Sequence, residues 1–249
     1  MQIQYNHNQI NYSFNLAKAI DISIPLHYNV KAFNAPDFKS EPVKSGQFTG
    51  LVSQGSSVNF LNLSINPHGN GTHTECLGHI TAETISINDC LKKFHFPCLL
   101  ISVSPGQLAS GDYVITPGNI NLFKEQFKHY QPEACVVRTL PNNISKKSKN
   151  YSNTNPPYFL PDTIQWLNNQ GIQHLLCDLP SIDREIDEGK LLAHKAFWQF
   201  PRNPQLHKTI TEMVFVPNII ADGFYLLNLQ IISLQTDASP SKPVLFSPV

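Results

Sequence analysis

The chain has 249 residues, with 18 Lys plus Arg balanced by 18 Asp plus Glu. That length suits one α/β domain over residues 1–249, and the even charge excludes the basic footprint of a nucleic-acid binder. No leader-like segment opens the sequence and no apolar run approaches bilayer length, so the protein is expected to be cytoplasmic, with neither membrane nor nucleic acid as a partner.

In chain order, "AKAIDISIPLHY" has the β-branched character of a strand that turns at Pro25, and "FLNLSINPH" alternates apolar and polar residues up to Pro67. "CLLISV" and "EACVVRTL" are short apolar runs, the pattern of strands covered on both faces. The segment "PNNISKKSKNYSNTNPP", residues 141–157, holds almost nothing to bury and is expected to be a flexible loop, the material of lids. Pro161 at the start, Ile164 and Leu167 three apart and Gly171 at the end predict a helix in "PDTIQWLNNQG". "IQHLLCDLP" is expected to be the next strand, "DEGKLLAHKAFWQF" a helix, "ITEMVFVPNI" a further apolar segment and "FYLLNLQIISLQ" a long or central strand.

Chemistry-bearing residues are densest in "HGNGTHTECLGH", which packs His68, His73, His79, Glu75, Cys76 and three glycines into twelve positions. If His73, Thr74 and Glu75 are extended, the imidazole and the carboxylate project to one face and Thr74 to the other. Neutral imidazole and carboxylate are the donors favoured by zinc, manganese and iron, and catalytic sites leave a position open for water. Gly69, Gly71 and Gly78 permit close backbone approach. The five cysteines (Cys76, Cys90, Cys98, Cys135 and Cys177) form no CxxC pair, sit mostly in apolar runs and read as buried thiols of a reducing compartment.

The same residues carry a family resemblance. "GTHTECLGH" is similar to the signature of the cyclase family of metal-dependent hydrolases, H-x-G-T-H-x-D-x-P-x-H, a family that includes bacterial kynurenine formamidase and isatin hydrolase. "AIDISIPL", "VVRTL", "CDLPSID", "LLAH", "ITEMV" and "DASPSKPVLF" resemble further family segments in the same order. The resemblance implies a swivelling β/β/α fold, a mixed β-sheet core with flanking helices. It implies a divalent metal, zinc or manganese, as one or two ions. His73, His194 and Glu212 fall on ligands, Glu75 on the carboxylate that ligates or bridges, and His79 on the general acid/base of the formamidases. Phe33 lies about where an aromatic packs on the substrate. The implied reaction is arylformamidase-like, cleavage of an amide, formamide, lactone or cyclic amide bond of a small molecule by metal-activated water, in a homodimer or homotetramer.

Two departures stand out. The motif's first histidine falls on Gly69, with His68 displaced by one residue, and a backbone bulge would bring His68 in as a ligand. Glu75 replaces the family aspartate. Two other readings therefore stand beside the hydrolase: a degenerate member that binds a small ligand without turning it over, and a cysteine hydrolase built on Cys76. Asp178, Ser181 and Asp183 either support a ligand histidine or cap the helix that follows, capping being the expectation. His7, His27, His95, His129, His174 and His207 have no carboxylate partner identifiable in sequence and are read as structural.

Overall fold

Apolar runs become the strands of one mixed sheet in the computed structural model, which describes residues 1–27 and 29–249. In chain order they are β1 (Ile20–Asp21), β2 (His73–Glu75), β3 (His95–Val103), β4 (Ala134–Thr139), β5 (His174–Cys177), β6 (Thr209–Glu212), β7 (Gly223–Ile231) and β8 (Ala238–Phe246). Their spatial order is β7-β3-β4-β5-β6-β2-β8-β1, and β8 also pairs with β7, so the sheet closes on itself and only β1 lies outside the ring. Strands β3 to β6 run parallel to one another, and the remaining pairs are antiparallel. This is the expected fold class, a mixed β core with flanking helices.

Period-two alternation explains why the central strands are apolar throughout. Phe96, Cys98 and Leu100 of β3, Ala134 and Val136 of β4 and Leu227 and Leu229 of β7 form one buried cluster inside the ring. The intervening Leu99, Ile101, Cys135 and Val137 face outward, into a second cluster with the helices. Those helices are α1 (Lys124–Tyr130), α2 (Pro161–Asn169) and α3 (Leu192–Phe197). In α2, Pro161 opens the helix, where its missing N–H costs nothing, and Ile164 and Leu167 are fully buried on the sheet side. Burying each such side chain contributes roughly 1.5–3 kcal/mol.

Several elements differ from expectation. The strand in "AKAIDISIPLHY" shrinks to β1: Ile22 still donates to the Pro243 carbonyl at 3.2 Å, but its own carbonyl turns to the N–H of Phe215 and its side chain fills the ring interior. The helix in "DEGKLLAHKAFWQF" is confined to α3, because residues 187–190 form an Asx-type turn in which Asp187 accepts from the N–H groups of Gly189 and Leu191. "FLNLSINPH" does form a strand, Leu61–Ser64, but it pairs only with Lys39–Pro42, as a ribbon whose Phe60, Leu61 and Leu63 are exposed. The expectation of a loose loop at 141–157 is corrected: Tyr151 is buried, and Lys146 reaches the wholly buried Asp178 at 2.7 Å and the Thr139 carbonyl at 2.8 Å. Composition hid this anchoring, since the partner carboxylate lies 32 positions away. An N-terminal hairpin, Gln2–His7 with Ile10–Asn15, turns through Asn8 and Gln9 at φ 51° and 64° and packs Phe14 on Phe224, Leu226 and Phe246. No helix among the described residues is long and apolar enough to cross a membrane.

Candidate metal centre

Strand β2 lies between β6 and β8, and its register sets the site. His73 pairs with Glu212 and Thr74 with Thr211 across β2 and β6. Thr74 and Thr211 therefore share one face, with their hydroxyls 2.8 Å apart, while His73, Glu75 and Glu212 share the other, towards α3. His73, Glu75 and Glu212 are buried, and a ligand atom from each lies within 4.8 Å of the others. His194, on α3, comes to the same place, its Nε2 3.0 Å from Glu75 Oε1 and 3.8 Å from Glu212 Oε1. The structure thus brings together four predicted residues from three segments.

His68 and His79 stand above this buried group, half-exposed, with rings stacked at 4.2 Å. His68 Nδ1 lies 3.1 Å from Glu75 Oε2, and His79 Nε2 lies 3.9 Å from the same oxygen. His68, Glu75 and His79 form a second group with ligand-like spacing, sharing Glu75 with the first. His68 arrives through a turn rather than a strand bulge. The role of Gly69 in that turn is lack of bulk: a Cβ there would lie 2.3 Å from the Ala35 Cβ. At Gly78 a Cβ would meet the Ile85 carbonyl oxygen at 2.3 Å, and that close approach seats the short turn Leu77–Ile80 that carries His79.

Each imidazole has one nitrogen held from outside. His73 Nδ1 donates to the Gly71 carbonyl at 3.0 Å, which leaves its Nε2 as a lone pair 3.4 Å from Glu212 Oε2. His194 Nδ1 donates to Asp183 Oδ2 at 2.6 Å. Asp237 Oδ2 accepts from His68 Nε2 at 2.8 Å and lies 3.4 Å from His79 Nδ1. Asp183 also accepts from the N–H groups of Ala193 and His194 at the start of α3, so it both caps the helix and orients the ring. Asp178 does neither, being committed to Lys146 and Thr139. Sequence reasoning missed Asp237; its only signal was its place just before the "ASPSKPVLF" strand.

The electrostatics follow from this packing. Burial alone would lower the His194 pKa, but the bonds to Asp183 and Glu75 outweigh it and push it up to about 10. Burial likewise opposes a charged His68, and the bond to Asp237 with the adjacent Glu75 carboxylate pushes it up to about 10. Burial penalises the Glu75 carboxylate, yet the His79 charge and the His194 bond hold it well below the usual range. Asp237 is lowered by its bonds from His68 and then His79.

These residues fit a divalent cation. His73 Nε2 and Glu75 Oε2 are buried with no hydrogen-bond partner, Glu75 Oε2 being close to His68 Nδ1 but not aligned with it. Buried polar atoms left without a partner are costly and call for an explanation. A cation accepting both lone pairs provides one, and imidazole with carboxylate is the donor set that zinc and manganese share. Above the group opens a cavity of about 370 Å³, lined by His68, His79, His194 and Glu212, with Phe33 at its edge. Phe33 is 41% exposed, and its backbone is in the left-handed region at φ 55°. Cys76 points the other way, fully buried inside the ring, and its thiol is pushed up by a bond from Cys90 and by burial. That geometry removes the cysteine hydrolase reading, since the thiol meets neither the cavity nor a histidine.

A model of the Cyclase family matches residues 20–184, which include the His68 to His79 window and Asp183. No curated protein matches the chain by sequence. Among solved structures, one described as a potential metal-dependent hydrolase with cyclase activity is 18% identical at TM-score 0.63, covering 92% of this chain and 98% of its own. A predicted metal-dependent hydrolase from Bacillus stearothermophilus is 20% identical at TM-score 0.60, with coverage of 92% and 98%. Isatin hydrolase A from Labrenzia aggregata, bound to benzyl benzoate, is 15% identical at TM-score 0.66, with coverage of 93% and 94%. At such identities the likeness is one of fold, and with the model match across more than half of the chain it places the protein: the chain belongs to the Cyclase family.

Proposed function

We propose that this chain is a metal-dependent hydrolase that cleaves an amide, formamide, lactone or cyclic amide bond of a small molecule. The observation that carries the reading is the convergence of His73, Glu75, His194 and Glu212, with two orphaned buried atoms, beneath an open cavity. Those four residues would hold one zinc or manganese ion, and His68 with Glu75 would hold a second. Such an ion, when bound, lowers the pKa of a coordinated water and polarises a carbonyl. The protein's own part is positional. Asp183 and the Gly71 carbonyl fix the two inner rings, and Glu75 divides its oxygens between His194 and His68. His79 is the general acid/base: its Nδ1 faces Asp237, which leaves Nε2 to move a proton to a leaving group in the cavity. Phe33 offers an aromatic face to an aryl substrate, which supports an arylformamidase-like preference.

The expected partners are the substrate and further copies of the chain, as a homodimer or homotetramer, a reading supported by the exposed apolar ribbon. The test is metal analysis of protein purified without chelator, followed by assay with N-formyl aromatic amines, lactones and cyclic amides. Bound metal with turnover of one class supports the hydrolase. A metal-free protein that binds these compounds unchanged overturns it in favour of a ligand-binding member of the family.

A further inference from the structure

We propose that Asp237 is the positioning residue that lets His68 replace, as a metal ligand, the histidine whose motif position is occupied by Gly69. The inference rests on the metal-dependent reading above and concerns how this particular chain completes the site.

The motif departs from the family pattern at one point only among its histidines, and a displaced side chain reaches the centre with the wrong ring orientation unless something sets it. His68 could face Glu75 with either nitrogen. Asp237 decides between them: its Oδ2 lies 2.8 Å from Nε2, and a carboxylate can only accept, so the hydrogen sits on Nε2 and Nδ1 is turned inward. Nδ1 then lies 3.1 Å from Glu75 Oε2, so the nitrogen turned inward is the one that a cation shared with Glu75 would take. The arrangement repeats that of His194, whose outer nitrogen is held by Asp183 at 2.6 Å while Nε2 faces Glu75 and Glu212. A carboxylate behind a ligand imidazole fixes its ring and raises its basicity.

Main-chain bonds hold Asp237 in place. Its carbonyl accepts from the N–H of Cys76 at 3.0 Å, and the next residue, Ala238, pairs in register with Glu75. The carboxylate that orients His68 is therefore tied to the strand that supplies the central carboxylate. No side chain at Gly69 could be added instead, since Ala35 occupies that space.

The test compares wild type with Asp237→Ala, Asp237→Asn, His68→Ala and the His68→Ala/Asp237→Ala double variant, measuring zinc affinity by chelator competition and zinc stoichiometry after dialysis. Asp237→Ala is expected to weaken the outer zinc about 10- to 100-fold. Asp237→Asn, which keeps an acceptor oxygen, should recover most of that loss. Adding Asp237→Ala to His68→Ala should cost nothing further, because the carboxylate acts through the ring. In the zinc-loaded wild type, a ¹⁵N imidazole spectrum should report the proton of His68 on Nε2. Asp237 is partly exposed, so the variants should fold, and unchanged circular dichroism verifies it. Zinc held equally by wild type and Asp237→Ala, or additive losses in the double variant, overturns the inference and leaves the hydrolase standing. A wild type that takes up neither zinc nor manganese overturns both.

Discussion

His194 and Asp183 meet at 2.6 Å, and the same carboxylate accepts the first free N–H groups of the helix that carries His194. One residue thus ties helix initiation to ring orientation. Asp183→Ala is expected to lower stability by about 1 kcal/mol through the lost cap and to weaken metal binding about 10- to 100-fold through the freed ring. Adding Asp183→Ala to His194→Ala should cost no further metal affinity, because the carboxylate acts on the metal through the ring, but should still lower the thermal midpoint. Calorimetry together with chelator competition separates the two effects, and an unchanged midpoint in the double variant would refute the double role.

His79 sits at the edge of the cavity, with its Nε2 farther from Glu75 than the inner rings come. His79→Gln should therefore keep the metal content while kcat falls about 10²- to 10⁴-fold, the usual contribution of a positioned acid/base. The loss should be larger for leaving groups that are harder to protonate. Loss of metal in step with activity would instead make His79 a ligand of the outer position, the role its spacing with His68 and Glu75 also permits.

The contrast between what sequence foretold and what it hid has a physical origin. β3, β4 and α2 were legible because burial on known faces forces a local pattern, and the His73 to Glu75 geometry followed from strand alternation alone. The ligand partners of β2 were visible only through family likeness, since His194 lies 119 positions from Glu75. Asp237 was invisible because an acidic residue before a strand has many uses and its partner is 169 positions away. The anchored loop at 141–157 misled for the related reason that one lysine with a buried carboxylate outweighs a polar composition.

The ribbon of Lys39–Pro42 and Leu61–Ser64 leaves Leu63 63% exposed and Phe60 57% exposed, and none of it joins a core cluster. An isolated two-stranded ribbon is marginal in water, so a second copy of the chain is the expected cover. Leu63→Asp should shift the particle mass measured by light scattering from dimer or tetramer towards monomer. A wild type already monomeric at micromolar concentration would refute this.

His174 supplies a pH test remote from the metal centre. It is buried, with Nδ1 2.9 Å from Thr209 Oγ1 and its ring 3.9 Å from that of Phe96; Lys93, His207 and Lys208 are the charges that face it. Burial first, and then those cations, push its pKa down to about 3 from 6.5. Between those two values the unfolded chain binds the proton and the folded one does not, so stability falls as pH falls through this window. From about pH 7.5 to about pH 4.5 the single group should cost the wild type on the order of 3 kcal/mol. His174→Asn keeps a partner for Thr209 but cannot titrate. It should begin less stable at neutral pH, for want of the ring contact with Phe96, and then lose less than the wild type on acidification. Urea unfolding at several pH values measures the difference, and parallel curves for the two proteins would show that His174 does not carry the acid sensitivity.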